Sequence, residues 1–137
     1  MKSILLALFI LFGFVTTASA SDDVYIFFEK NRHENVKVRN ALEDSLIYAF
    51  EDEDRNPHVV KNLKNLPNKG VLLVLKSVRA TPGFKRTLVV RYKIEDLKSK
   101  KILEESRIER QTVVAGYGKL ARVVGNDLAA TVVDVSH

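Results

Sequence analysis

The chain has 137 residues, 28% of them charged, no cysteine, and 22 Lys plus Arg against 17 Asp plus Glu. That length fits one domain with a real hydrophobic core, and the missing cysteines exclude a disulfide-stapled scaffold. The mild positive balance permits attraction to anionic lipid, wall polymer or nucleic acid without demanding any of them.

Lys2 is the only charged residue before Asp22, and Ile4 to Val15 is apolar apart from Gly13. A basic start, a short apolar middle and small residues at Ala18-Ser19-Ala20 make a secretory signal peptide, with cleavage expected between Ala20 and Ser21. The apolar run is shorter than the roughly 20 residues that a membrane helix needs, so no anchor is expected after cleavage. An uncleaved anchor is the alternative, because residues 3 to 21 carry no charge. Cleavage leaves 117 residues with 21 Lys plus Arg against 17 Asp plus Glu, and residues 21–137 show no repeat, low-complexity tract or linker. A cysteine-free exported domain suits a bacterial envelope, periplasmic or secreted, better than a disulfide-rich extracellular milieu.

Val24 to Phe28 is a compact β-favouring run, and the polar stretch from Glu29 ends in a candidate helix N-cap at Asn35. Val38, Ala41, Leu42, Leu46, Ala49 and Phe50 recur at the three-and-four spacing of one helical face, predicting a helix from about Val36 to about Glu53. Glu51 to Asp54 crowd its C-terminus, where negative charge is disfavoured, so the last turn is expected to fray. His58 to Lys61 reads as a short strand, and Pro67, Asn68 and Gly70 supply turn chemistry in the loop after it. The five apolar residues Val71 to Leu75 suit a strand covered on both faces. After the break at Thr81-Pro82-Gly83, Leu88, Val90, Tyr92 and Ile94 alternate with Thr87, Val89, Arg91, Lys93 and Glu95, the period of a strand with one buried face.

Asp96 to Lys101 makes a polar turn, and Ile102 to Thr112 reads as a largely polar strand, exposed or at an edge, with Ile102 and Ile108 in one phase. From about Ala115 to Val133, Leu120, Val123, Val124, Leu128 and Val132 fall at helical spacing. The small residues Ala121, Gly125 and Ala129 would let that helix approach a sheet closely. The summed order β-α-(β)-β-β-β-α predicts an α+β domain, a mostly antiparallel sheet with two helices packed on one face.

No catalytic, metal or nucleotide motif stands out. Asp52, Asp54 and Asn56 have the odd spacing of a calcium loop, but Pro57 stands where Gly is needed and Leu63 where a bidentate Glu is needed. His33, His58 and His137 are scattered without a zinc-binding pattern, and Gly116-Tyr117-Gly118 lacks the third glycine of a dinucleotide fingerprint. An enzyme would gain support only from a cleft gathering His58, Asp96 and Arg91. The remaining candidate is a binding surface: Arg91 and Lys93 on the outer face of one strand beside Arg107 on the next, a row of cations suited to an anionic polymer or protein. Glu95, Glu105 and Glu109 share that face, and a mixed solvated surface of the kind that keeps strands from sticking together is the stronger reading. No cofactor and no nucleic-acid partner are expected.

Gln111-Thr112-Val113-Val114-Ala115-Gly116 looks like the Gln-Val-Val-Ala-Gly hairpin loop with which cystatins block cysteine proteases, with Thr112 as an extra residue. The resemblance implies an inhibitor that presents this loop at an apex; an accessory protein would instead bury Val113 and Val114. Over most of the mature chain the layout also resembles a group of small bacterial envelope proteins. These are penicillin-binding-protein activator lipoproteins, YajG-like lipoproteins and the periplasmic α/β part of the curli secretion lipoprotein. The likeness is carried by Ala41-Leu42 and Leu46, by Val71 to Leu75, by Val89 to Leu103 with its Asp96-Leu97-Lys98-Ser99-Lys100 turn, and by Leu120-Ala121 to Ala129. Two features depart from that group: no lipobox cysteine is present, and Ser99-Lys100 replaces the usual Thr-Gly. The resemblance implies a non-enzymatic accessory of an envelope assembly or wall polymer, and it transfers no site residue.

Overall fold

The computed structural model describes residues 22–30 and 35–136. The leader, its cleavage site, His33 and His137 lie outside the described residues. The chain order is β1 (Asp23–Phe28), α1 (Val36–Asp52), β2 (Asn56–Val60), β3 (Val71–Thr81), β4 (Arg86–Asp96), β5 (Ile102–Thr112) and α2 (Tyr117–Val135). The five strands form one sheet in the order β2-β1-β3-β4-β5. The domain is α+β, as the sequence pattern predicts.

The sheet is antiparallel where it is long. β3 with β4 and β4 with β5 are antiparallel ladders, whereas β1 pairs in parallel with both β2 and β3. The parallel pairing follows from connection length. A two-residue turn can only reverse a chain, but α1 between β1 and β2, and residues 61–70 between β2 and β3, carry the chain back to the end from which β1 started.

Both helices cover one face. Ile26 of β1, Leu42, Leu46 and Phe50 of α1, Leu73 and Leu75 of β3, Leu88, Val90 and Ile94 of β4, and Val124 and Leu128 of α2 close the main core. On the other face Leu72 and Val74 pack with Leu97, Tyr25, Phe27 and Leu66, the last reaching up from the β2–β3 loop. Hence the whole of Val71 to Leu75 is buried. The strand then continues beyond the predicted run to Thr81, with a register shift between Leu75 and Ser77. On β4 the expected phase holds, with Leu88, Val90, Tyr92 and Ile94 all buried.

Three local expectations are corrected. Ile102 and Ile108 do not share a phase: a register shift opposite Ile94 and Glu95 turns Ile102 outward, 52% exposed, while Leu103 and Ile108 pack on the main core. The end of α1 does not fray. Asp54 adopts the left-handed conformation at φ 58°, Arg55 N–H donates to the Phe50 carbonyl at 2.9 Å, and Asp54 N–H donates to the Glu51 carbonyl at 3.1 Å. These two bonds form a Schellman closure, which satisfies carbonyls that the acidic sequence would otherwise leave bare. At the other end Asn35 caps the helix as predicted, its side chain accepting from Val38 N–H at 3.2 Å.

Gly125 serves the helix pair and not the sheet. A Cβ there would lie 2.8 Å from Ser45 Cβ and 3.1 Å from its carbonyl carbon. Glycine inside a helix costs about 1 kcal/mol against alanine, so its place here reflects the close α1–α2 crossing.

β1, β2, β3 and β5 run in one direction and both helices run back, so the sheet has two unlike ends. One holds the β3–β4 hairpin, the β5–α2 loop and both helix N-termini. The other holds the start of β1, the β4–β5 turn and both helix C-termini, and there Ser136, just past α2, lines a cavity with Gly70 and Asp96.

Candidate functional site

The open face of β4 and β5 brings the three predicted cations together. Arg91 stands directly opposite Arg107 and Lys93 opposite Glu105. The structure adds Lys76, which the irregularity after Leu75 places on the same face, with its ammonium 2.7 Å from the Glu105 carboxylate. Lys76, Arg91, Glu105 and Arg107 border a shallow cavity of about 300 Å³. The hydrogen bond and charge of Lys76, with weaker help from Lys93 and Arg91, hold the Glu105 carboxyl below the usual carboxylate range. Arg107 lies 3.4 Å from Glu109. Exposed pairs of this kind add little to stability, so stability does not account for the patch. The facing arginines are unfavourable on their own, since like charges directly opposite on neighbouring strands repel.

Behind the patch, Tyr92 points into the main core and donates to Glu104 at 2.7 Å. Its phenol is pushed up to about 12 by burial and by the Glu104 carboxylate. A phenol in that state remains protonated at any physiological pH and serves as a fixed donor.

The other sequence candidates are dispersed. Asp52 ends α1, Asp54 forms its left-handed cap and Asn56 opens β2, so their spacing serves a helix end and not a calcium loop. Among the described residues no group of three His, Asp or Glu side chains is placed to hold a metal ion. His58 stacks on Tyr25 with ring centroids 5.0 Å apart and contacts the Asp23 carboxylate at 3.0 Å. It lies on edge strand β2, separated by β1 and β3 from Arg91 and Asp96 on β4, so the cleft that would gather the three is not assembled. Asp96 instead organises the β4–β5 turn, where its carboxylate accepts from Ser99 N–H at 2.9 Å and Ser99 Oγ at 2.8 Å. Those bonds hold its carboxyl below the usual range. Gly116 is the N-cap residue of α2, confirming a strand-to-helix junction at Gly116-Tyr117-Gly118.

A larger cavity of about 800 Å³ opens at the C-terminal ends of β1 and β2, where Phe28, Lys30, Arg39, Glu43 and Lys61 line it. The Arg39 guanidinium lies 5.0 Å from the Phe28 ring centroid. Its cations face a carboxylate, and Lys30 leads directly into residues 31–34, outside the described residues.

The segment Gln111 to Gly116 overturns one expectation. Val113 and Val114, expected to be buried in an accessory protein, are 49% and 90% exposed. Thr112 Oγ1 accepts from Val114 N–H at 3.3 Å and Ala115 N–H at 3.1 Å, a turn that satisfies the backbone locally and leaves the valines outward. The segment joins a strand to a helix, however, and is not the hairpin between two strands that a cystatin uses.

No family model and no curated protein matches the chain. Solved structures of bacterial proteins share the small α+β fold. The chain is similar to the PelC dodecamer from Paraburkholderia phytofirmans, with TM-score 0.52, 10% identity, and coverage of 78% of this chain and 84% of that one. It is also similar to a Xanthomonas campestris protein of DUF330, with TM-score 0.52, 12% identity, and coverage of 84% and 85%. A minor lipoprotein from Acinetobacter baumannii aligns at 16% identity and TM-score 0.48 over 82% of this chain and 90% of that one. At these identities the likeness is one of fold.

Proposed function

We propose that the protein is an exported, non-catalytic accessory of the bacterial cell envelope that holds an anionic wall polymer against its open sheet face. Lys76, Arg91, Lys93 and Arg107 are the contacts. The observation that carries this reading is the Arg91–Arg107 pair, placed directly opposite across two strands. Such a pair repels in the free protein and is relieved when an anion sits between the guanidiniums. The leader pattern supports an exported location, and the fold shared with bacterial proteins supports a bacterial setting. The test is co-sedimentation of the chain from Ser21 with purified cell-wall sacculi, comparing wild type with Arg91→Glu/Arg107→Glu. Reversing both charges should weaken binding by about tenfold or more, and the affinity should fall with added salt. Equal binding by the two proteins would sink the reading.

A second reading, a secreted inhibitor of a cysteine protease, is favoured by the exposure of Val114. It requires that a papain-type protease lose activity with the chain present and regain it with Val114→Asp.

A further inference from the structure

We infer that the β3–β4 hairpin tip and the β5–α2 loop together form a contact for an anionic lipid bilayer surface. The hairpin projects: β1 pairs with β3 only as far as Leu75, while β3 and β4 stay paired to Thr81 and Thr87. Six residues of unshared strand carry the tip roughly 20 Å beyond the end of β1 at about 3.4 Å per residue. At that tip, in the turn Pro82-Gly83-Phe84-Lys85, the Phe84 ring is 87% exposed.

The neighbouring loop adds Val113 and Val114 at the same end. Arg86 pairs with Thr112 across the strands, and its guanidinium donates to the Ala115 carbonyl at 3.0 Å, tying the two loops together. Single exposed apolar side chains are ordinary. Three of them on two joined loops at one end of the sheet are not accounted for by folding.

Charge selects the occupant. From Lys76 to Lys93 the chain has six Lys or Arg and no Asp or Glu, and from Arg110 to Asn126 it has three and none. Arg79, Lys85, Arg86 and Lys119 therefore surround the apolar tip without a carboxylate in either segment. Helix α2 also starts here with no acidic residue in its first turn and no side-chain cap, which leaves its positive dipole end facing outward. Apolar side chains ringed by cations on a protruding edge match a bilayer interface, where rings enter the headgroup layer and Lys and Arg meet lipid phosphates. No described helix is long and apolar enough to cross a membrane, so this is a peripheral contact.

The test uses the chain from Ser21, which contains every described element, in flotation with vesicles of pure phosphatidylcholine and vesicles carrying about one-third phosphatidylglycerol. Binding to the anionic vesicles alone is expected. Phe84→Ser should weaken it by about tenfold, from the apolar area withdrawn, and Lys85→Glu should weaken it at least as much. Lys98→Gln, in the exposed β4–β5 turn at the opposite end of the sheet, should change it less than about twofold, because it lies roughly 35 Å from the tip along β4 and beyond the Debye length at physiological salt. Absence of binding to anionic vesicles, or equal binding by wild type and Phe84→Ser, would overturn the inference. So would protease inhibition abolished by Val114→Asp in a protein that ignores vesicles, since the tip would then belong to a protein partner.

Discussion

The two ends of the sheet are built to opposite rules. At the end holding the β4–β5 turn, polar groups are consumed by the fold: Asp96 is bonded to Ser99, Asp23 to His58, and Asp54 closes α1. Positive φ occurs there at Asp54, Gly70 and Lys100, and at the hairpin end at Gly83. At the hairpin end apolar side chains stand in water and cations outnumber carboxylates, although no packing in the domain calls for either. The first end holds the chain together, and the second is left over for something outside it.

The largest test of this contrast is Gly70→Ala. Gly70 has φ 98°, and a Cβ there would lie 2.7 Å from the Asp23 carbonyl oxygen. Strain and displacement of β1 should cost about 2 to 4 kcal/mol in urea unfolding. A cost under about 0.5 kcal/mol would show that this end relaxes freely and would break the comparison.

Lys100→Gly sharpens it. Lys100 sits at φ 63°, where a side chain costs about 1 kcal/mol and glycine does not, so the variant should be more stable by roughly that amount. A loss of stability would mean that the Lys100 side chain holds the turn in a way its backbone does not reveal. Phe84→Ser should have the smallest effect, within about 0.5 kcal/mol of wild type, because the ring is already in water. A larger destabilisation would assign Phe84 to the fold and remove it from the outward-facing set.

Much of the fold was legible because local patterns and tertiary packing agree. Asn35, the apolar spacing of α1 and the alternation of β4 each follow from one element's own periodicity. What escaped depends on partners remote in sequence. The parallel pairing of β1 has no local signature, and the register shifts in β3 and β5 change which side chains face outward without changing composition. For that reason Lys76 joins Arg91, Lys93 and Arg107 only once the bulge is seen. Gly125 could be read as a site of close approach, but not as one directed at α1. The Ser99-Lys100 departure from Thr-Gly is explained by geometry: Ser99 supplies the hydroxyl that bonds Asp96, and Lys100 adopts the left-handed conformation that suits glycine. The exposure of Val113 and Val114 was open between the two readings, because a β-branched run before a helix fits core as well as surface; Thr112 forms the turn that lifts them out.

The cavity shared by Gly70, Asp96 and Ser136 has an engineering consequence. Asp23 also lies close to Gly70, so the first and last described elements both reach the neighbourhood of the same glycine. A short flexible linker could join those two ends, and new ends could be opened elsewhere in the molecule as a circular permutant. A fluorescent reporter fused before β1 or after α2 would hang from the end of the sheet opposite the hairpin, leaving the hairpin tip free to be watched as it meets a surface.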